Sequence, residues 1–286
     1  MQIPTSIRYS CEKIFGLITN EDNPYHICWC GMLLKIKKGR IVIYTIIQKM
    51  TSYINYISDM RDFSKISKNC DHRFFLHWKD AYPCLNDNSG TTPFDAHYIY
   101  HPAWAARILA KTKPAVHVDI SSTLCFCSLL SAFIPVEFYD YRPADLKLTN
   151  LSSSSVDIIS LPFSSNSIDS LSCMHTVEHI GLGRYGDPLD PEGDLKAIAE
   201  LKRVLAVDGN LLLVVPIGGT AKIMFNAHRI YTYRQIIGYF SNLQLAEFSL
   251  ISDTPQSNRL ILDATEDDAN KCSYGCGCFW FKKGGS

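Results

Sequence analysis

The sequence predicts a doubly wound α/β fold, with a mostly parallel sheet of about seven strands and a helical N-terminal extension. Three observations carry this. Short apolar runs alternate with amphipathic segments from about residue 100 onward. Those runs end in polar or acidic residues, as strands do where ligands enter an open α/β sheet. The alternation strand–helix–strand also requires right-handed crossovers, which make neighbouring strands parallel.

The elements follow in order. Residues 1–90 form the extension, and residues 91–286 the main domain. In the extension Ile43, Ile46, Ile47, Met50, Ile54 and Ile57 recur at helical spacing, flanked by Lys35, Lys37, Lys38, Arg40 and Lys49. This helix either packs on the main domain or rests on a membrane surface as a peripheral contact. The turn-rich run Asn86 to Pro93 marks the boundary. Helices are expected at Trp104–Lys111, Thr123–Ala132, Gly193–Leu205 and from the cap Thr232 to Phe240. Strands are expected at Ala115–Ile120, Val136–Asp140, Val156–Ile159, Ile168–Met174, Leu211–Val215, Leu243–Ile251 and Cys276–Phe281, with a turn at Val207–Asn210.

Bulk properties narrow the partners. The 286 residues are 47% hydrophobic and 20% charged, with zero formal net charge, so no global field recruits nucleic acid. The N-terminus lacks a signal-peptide core, and the apolar run Ile41–Ile47 is too short to span a bilayer. A cytoplasmic protein without a transmembrane segment is expected. Its eleven cysteines then read as reduced thiols.

The chemistry-bearing residues gather at strand ends. Asp119, Ser121 and Ser122 close the first strand, where a nucleotide-type cofactor needs close backbone approach. Serines stand there in place of the usual glycines. Asp140 ends the second strand, about 20 residues on, where a carboxylate receives ribose hydroxyls. Asp157 lies on the third. Past the fourth strand stand His175, Glu178 and His179, and after the fifth come His228 and Arg229.

The pattern VDIS…FYD…VDIISLPFSSNSID…HTVEHI…ELKRVLAVDGNLLLVVP resembles a class I S-adenosylmethionine-dependent methyltransferase domain over residues 100–285. The phrases FDAHYIYHPAWAARIL, HIGLGRYGDPLDPEGDLKAI, KIMFNAHRIY and YGCGCFWF are similar to an uncharacterised methyltransferase-like family, domain of unknown function two-hundred-sixty-eight, from about residue 75. The resemblance implies a Rossmann-like methyltransferase fold with S-adenosylmethionine as cofactor. It sets Asp119, Ser121 and Ser122 at the methionine part, Asp140 at the ribose, Asp157 and Ile158 at the adenine, and Met174 with His175 on the floor.

The expected reaction is methyl transfer to a small or glycan-type acceptor, at oxygen. Methyl transfer to an alcohol needs alignment and a base, and His175, His228 and Glu178 are the catalytic candidates. Arg184, Tyr185, Arg229 and Tyr231 are candidate substrate contacts. The loop Gly181–Asp190 reads either as a substrate lid or as a rigid loop braced by its own acids. His97, Tyr98, Tyr100, His101 and Trp104 either close over the cofactor or pack in the core. Cys272, Cys276 and Cys278 could make a zinc site with a histidine, but they lack paired-knuckle spacing and are expected as buried reduced thiols on a closing strand, with no metal assigned. Two rival readings are a non-catalytic binding or scaffold domain of the same fold, motivated by the serine turn, and a nicotinamide-dependent enzyme, disfavoured by the missing GxGxxG.

Overall fold

The computed structural model describes residues 25–29, 32–37, 40–42, 44–68, 70, 73–85, 87–254 and 259–285, with side chains from Met50 onward. The chain divides into two compact units, Met1–Pro93 and Phe94–Ser286.

In the first unit β1 (Tyr25–Trp29), β2 (Met32–Lys37) and β3 (Arg40–Val42) make an antiparallel sheet in that order. The helix α1 (Tyr44–Ser67) follows. The extension therefore holds strands as well as the expected helix. Of the apolar residues that set the helical period, Ile43 lies outside the described residues. Met50 and Ile54 are exposed, as are Phe63 and Ile66 further along the helix. Among the described residues no helix is long and apolar enough to cross a membrane.

The second unit opens with α2 (Ala96–Thr112), capped by Asp95, whose side chain accepts the Tyr98 N–H. Then come β4 (His117–Ile120), α3 (Leu124–Leu130), β5 (Val136–Asp140), β6 (Leu151–Ser155) and β7 (Ile168–Met174). After α4 (Gly193–Val204) the chain enters β8 (Leu205–Ile217), the hairpin β9 (Lys222–Met224) and β10 (His228–Ile230), and α5 (Tyr233–Tyr239). The unit ends with β11 (Gln244–Ile251), β12 (Leu260–Ile261), α6 (Glu266–Asn270) and β13 (Gly275–Lys282). Thr232 caps α5 through a capping box with Gln235, as its sequence predicts.

The main sheet has eight strands in the order β12-β11-β13-β8-β7-β4-β5-β6. From β6 to β8 all pairings are parallel, while β13 runs antiparallel between β8 and β11. This is the six-stranded doubly wound order with an antiparallel strand inserted next to the fifth. Apolar cores cover both faces. One is built around Ile198, Leu201, Phe240 and Phe279, the other around Trp104, Ile108, Phe126 and Leu130. The fold is the doubly wound, Rossmann-like α/β fold expected from the strand alternation.

Two elements differ from expectation. The third parallel strand is Leu151–Ser155, and residues 156–159 form the turn after it. An edge strand pairs on one side only, so a serine run suffices, while Val156 and Ile158 are buried by the turn. The expected turn at Val207–Asn210 is a bulge inside β8. Ile168 pairs with Leu205 but Ser170 pairs with Asn210, and Asp208 takes a φ of 62°.

Candidate functional site

The carboxyl ends of β4, β5 and β7 converge on one crevice. Where β4 ends, Ser121 adopts a left-handed φ of 57° and donates its N–H to the Tyr139 carbonyl, 2.7 Å away. Glycine adopts this conformation freely and serine only under strain. The end of β7 mirrors it, with His175 at a φ of 56°. Thr176 ties the two ends together by donating its hydroxyl to the Ser121 carbonyl at 3.0 Å. Ser122 accepts the Met174 N–H at 3.1 Å.

Two cavities lie along this seam. The smaller, about 240 Å³, is walled by Asp140, Asp157, Ile158 and Ile159. The larger, about 720 Å³, is walled by Ser122, Met174, Glu178, His228, Tyr98 and Tyr274. Ser121, His175, His179 and Tyr185 border both, so the two cavities are neighbours across those side chains. Asp140 accepts the Arg142 N–H at 2.7 Å through one oxygen, and Asp157 accepts that of Ile159 at 3.1 Å. Each carboxylate is thus fixed by a local turn at the cavity wall.

Asp119 takes a different place. It is fully buried beneath the crevice, accepting the Ser122 N–H at 2.9 Å and the Ser172 hydroxyl. His117 binds Ser170 and Ser172, both at 2.8 Å. Burial pushes the Asp119 carboxyl up, opposed by its hydrogen bonds, and burial drops His117 to about 3. Residues 117 and 119 share a face of β4 that points into the sheet's α3 side, where Cys127 lies. Asp119 therefore braces the turn and does not line the crevice.

Around His175 the side chains interlock. Its Nδ1 donates to the Glu178 carboxylate at 3.0 Å, and its Nε2 accepts from the Cys276 thiol at 3.3 Å. His97 stacks on it at 5.7 Å between centroids, and His101 meets it edge-on at 5.0 Å. Glu178 is fully buried, and its Oε2 has no partner among the described residues. Both nitrogens of His175 are thus engaged. His228 engages no side-chain hydrogen bond among the described residues and stands beside Tyr274 at 5.0 Å between centroids. Burial lowers its pKa, partly offset by the Glu178 charge. Its imidazole is therefore neutral near pH 7 and open to accept a proton.

Arg229 and Tyr231 do not reach either cavity. Arg229 is buried, ion-paired with Asp194 at 3.5 Å, and donates to the carbonyls of Ile180 and Pro191 at 2.6 and 3.2 Å. Tyr231 donates to Asp194 at 2.9 Å. Arg229 on β10 and Tyr231 just past its end turn inward, so the planar guanidinium holds loop carbonyls instead of a substrate. Asp194 serves these two partners from the first turn of α4.

The loop Gly181–Asp190 is organised on its own acid. Asp187 accepts the N–H groups of Gly181 at 2.7 Å and Tyr185 at 3.2 Å. Gly181 is held at a φ of 79°, where a Cβ would lie 1.9 Å from the Asp190 carbonyl oxygen. From this rigid base Arg184 and Tyr185 extend over the crevice. Arg142 and Arg184 flank the Tyr185 ring at 4.7 and 5.1 Å.

Of the aromatic cluster on α2, Trp104 and His101 are buried, with Trp104 donating to Glu247 at 2.7 Å. His97 and Tyr98 face the site instead. Cys272 belongs to one core and Cys276 with Cys278 to the other, so the three thiols do not converge. Sequence reading missed the meeting of His97, Tyr274 and Cys276 with His175. The only signals were the His97/His101 spacing, which places both on one helix face, and a strand parity that puts Cys276 inward.

The family described as Caenorhabditis protein of unknown function, DUF268, matches residues 148–266. No curated protein matches the chain. Among solved structures, the Burkholderia thailandensis 1,6-didemethyltoxoflavin-N1-methyltransferase is 10% identical, with 94% of this chain and 99% of that one covered and a TM-score of 0.46. The N-methyltransferase NodS of Bradyrhizobium japonicum is 14% identical over 64% of this chain and 85% of its own, with a TM-score of 0.44. A TehB-like methyltransferase of Corynebacterium glutamicum is 16% identical over 65% and 88%, with a TM-score of 0.42. The strand order given above, with its inserted antiparallel strand, is what carries the fold assignment.

Proposed function

We propose that the protein is an S-adenosylmethionine-dependent methyltransferase that methylates an oxygen of a small or glycan-type acceptor. The observation that supports this reading is the crevice itself. A carboxylate, Asp140, and an apolar wall, Ile158, flank the smaller cavity, and Met174 floors the larger one.

These residues fit the cofactor. Asp140 has one carboxylate oxygen tied to the Arg142 N–H, leaving the other to receive ribose hydroxyls. Asp157 and Ile158 would hold the adenine edge and face, and Ser121, Ser122 and Met174 the methionine part. Bound there, the cofactor supplies an electrophilic methyl carbon. The chain then needs to orient an acceptor and take its proton.

His228 is the base in this reading, because its ring is neutral and unengaged beside the larger cavity. His175, the first choice from sequence, has both nitrogens committed to Glu178 and Cys276. Tyr98, Tyr185 and Tyr274 offer ring faces on which a sugar's apolar face can stack. Arg184 is the cation at the rim.

The test is thermal stabilisation by S-adenosylmethionine, S-adenosylhomocysteine and NAD, in wild type and Asp140→Ala. A Tm rise with the first two that Asp140→Ala abolishes supports the reading. No rise at millimolar ligand overturns it and favours the non-catalytic scaffold, the reading motivated by the serine turn.

A further inference from the structure

We propose that His97, His175 and Cys276 bind a zinc-class transition-metal ion, with a fourth position left for an acceptor atom in the larger cavity. One ligand atom from each of the three lies within 4.8 Å of the other two. They come from α2, the end of β7 and β13, so no local sequence motif assembles them. Zinc bonds of about 2.0–2.1 Å to nitrogen and about 2.3 Å to sulfur set ligand atoms roughly 3.5 Å apart at a tetrahedral angle. The His175 Nε2 to Cys276 Sγ separation is 3.3 Å, so that edge already has ligand dimensions. The remaining ligand atoms lie within 4.8 Å of one another, so closure of at most about 1.4 Å brings them to ligand dimensions.

Three further observations point to an ion. The first is the Glu178 carboxylate, which accepts a hydrogen bond from the Nδ1–H of His175 at 3.0 Å. A carboxylate behind a ligating imidazole fixes the tautomer and aims Nε2 at the metal. The second is charge. Glu178 is fully buried, its Oε2 is unpartnered among the described residues, its carboxylate pairs with His175 and His179, and the Arg229 guanidinium reaches its backbone carbonyl at 3.5 Å. A divalent ion bound to one thiolate leaves one positive charge to balance that carboxylate. The third is the backbone of His175, which sits in the left-handed region and is held there by the strand ends around it.

The ligand set selects the metal. Two imidazoles and a thiolate suit zinc, cobalt or copper, and do not suit magnesium or calcium, which want oxygen. On binding, the Cys276 S–H bond breaks, an S–metal bond forms, and the proton leaves to solvent. Three protein ligands leave an open position, the arrangement of catalytic rather than structural zinc. His175 belongs to the wall of the larger cavity, so a substrate hydroxyl or thiol can take that position and lose its proton more readily. This role in activating the acceptor rests on the methyltransferase reading, whereas the metal site itself does not.

The test uses the full chain, stripped with chelator and incubated with zinc or cobalt. Wild type should retain one zinc per chain after gel filtration. With cobalt it should show a thiolate-to-metal charge-transfer band and tetrahedral visible bands. His97→Ala, at a half-buried helix position, and Cys276→Ser should each abolish stoichiometric zinc, and Cys276→Ser should also abolish the charge-transfer band. Cys278→Ser, on the same strand face, should keep both. Glu178→Gln should weaken zinc binding about 10–100-fold. Sub-stoichiometric zinc in wild type, or a band that survives Cys276→Ser, overturns the site. S-adenosylmethionine stabilisation measured on the same metal-free and His97→Ala samples separates the two readings. In wild type, zinc absent with stabilisation intact overturns the metal site alone, and zinc retained without stabilisation overturns the cofactor reading alone.

Discussion

Two histidine–carboxylate networks sit about one strand apart in this sheet and differ in almost every physical respect. His117 with Asp119, Ser170 and Ser172 is closed. Both ring nitrogens and both carboxylate oxygens have partners, and all four residues are buried. His175 with Glu178, His97 and Cys276 is open. It borders a cavity, one carboxylate oxygen lacks a partner among the described residues, and its backbone is strained. Both pair a histidine with a carboxylate, so that pairing by itself does not mark a site. Satisfaction and access do, because a fully paired buried network can only hold structure.

That contrast can be broken experimentally. The largest effect is expected on the open side. His228→Gln should lower methyl transfer about 10²–10⁴-fold, the range for loss of a general base, with Tm nearly unchanged. A mutant that keeps full turnover would remove His228 from the chemistry.

On the closed side, His117→Ala opens a cavity and leaves the Ser170 hydroxyl without its partner, while Ser172 keeps Asp119. It should cost about 2–4 kcal/mol, read as a lower denaturation midpoint, while cofactor affinity per folded molecule holds. Loss of cofactor binding at full stability would instead join the two networks into one site.

The acid limb of stability sharpens the same point. Folded His117 is held at about 3, below its ordinary 6.5, so the unfolded chain binds the proton first. The stability it contributes is present above pH 6.5 and is lost as pH falls toward 3, at up to roughly 1.4 kcal/mol per pH unit. His101, also held at about 3 by burial and then by His175, adds to the slope. Urea melts of wild type and His117→Phe across that window should show a shallower limb in the variant. Parallel limbs would mean that other groups carry the acid sensitivity.

The smallest effect lies at the turn between the networks. Ser121→Gly relieves a left-handed serine and should raise stability by about 1 kcal/mol. It should also tighten S-adenosylmethionine binding if the serine narrows the approach. Weaker binding would show that the Ser121 hydroxyl is itself a contact.

The parallel strands other than the third, the helices between them and Asp140 at a strand end were legible from periodicity, because alternation and strand-end polarity are local properties of sequence. Asp157, by contrast, lies in the turn after the third strand and not on it. The edge strand Leu151–Ser155 was not legible, since a serine run has no apolar period. Nor could the sequence separate Asp119, turned inward by its parity on β4, from Asp140 at the crevice wall. Arg229 and Tyr231 looked like substrate contacts and proved to be braces for the loop carbonyls and Asp194.

The sequence by itself determined the sheet, its direction and the edge on which polar residues collect. Only the tertiary structure decided which of those residues meet. His97, His175 and Cys276 are far apart along the chain and come together because β13 inserts antiparallel beside β8 while α2 packs on that face. Such convergence depends on strand order and register, which no local pattern encodes.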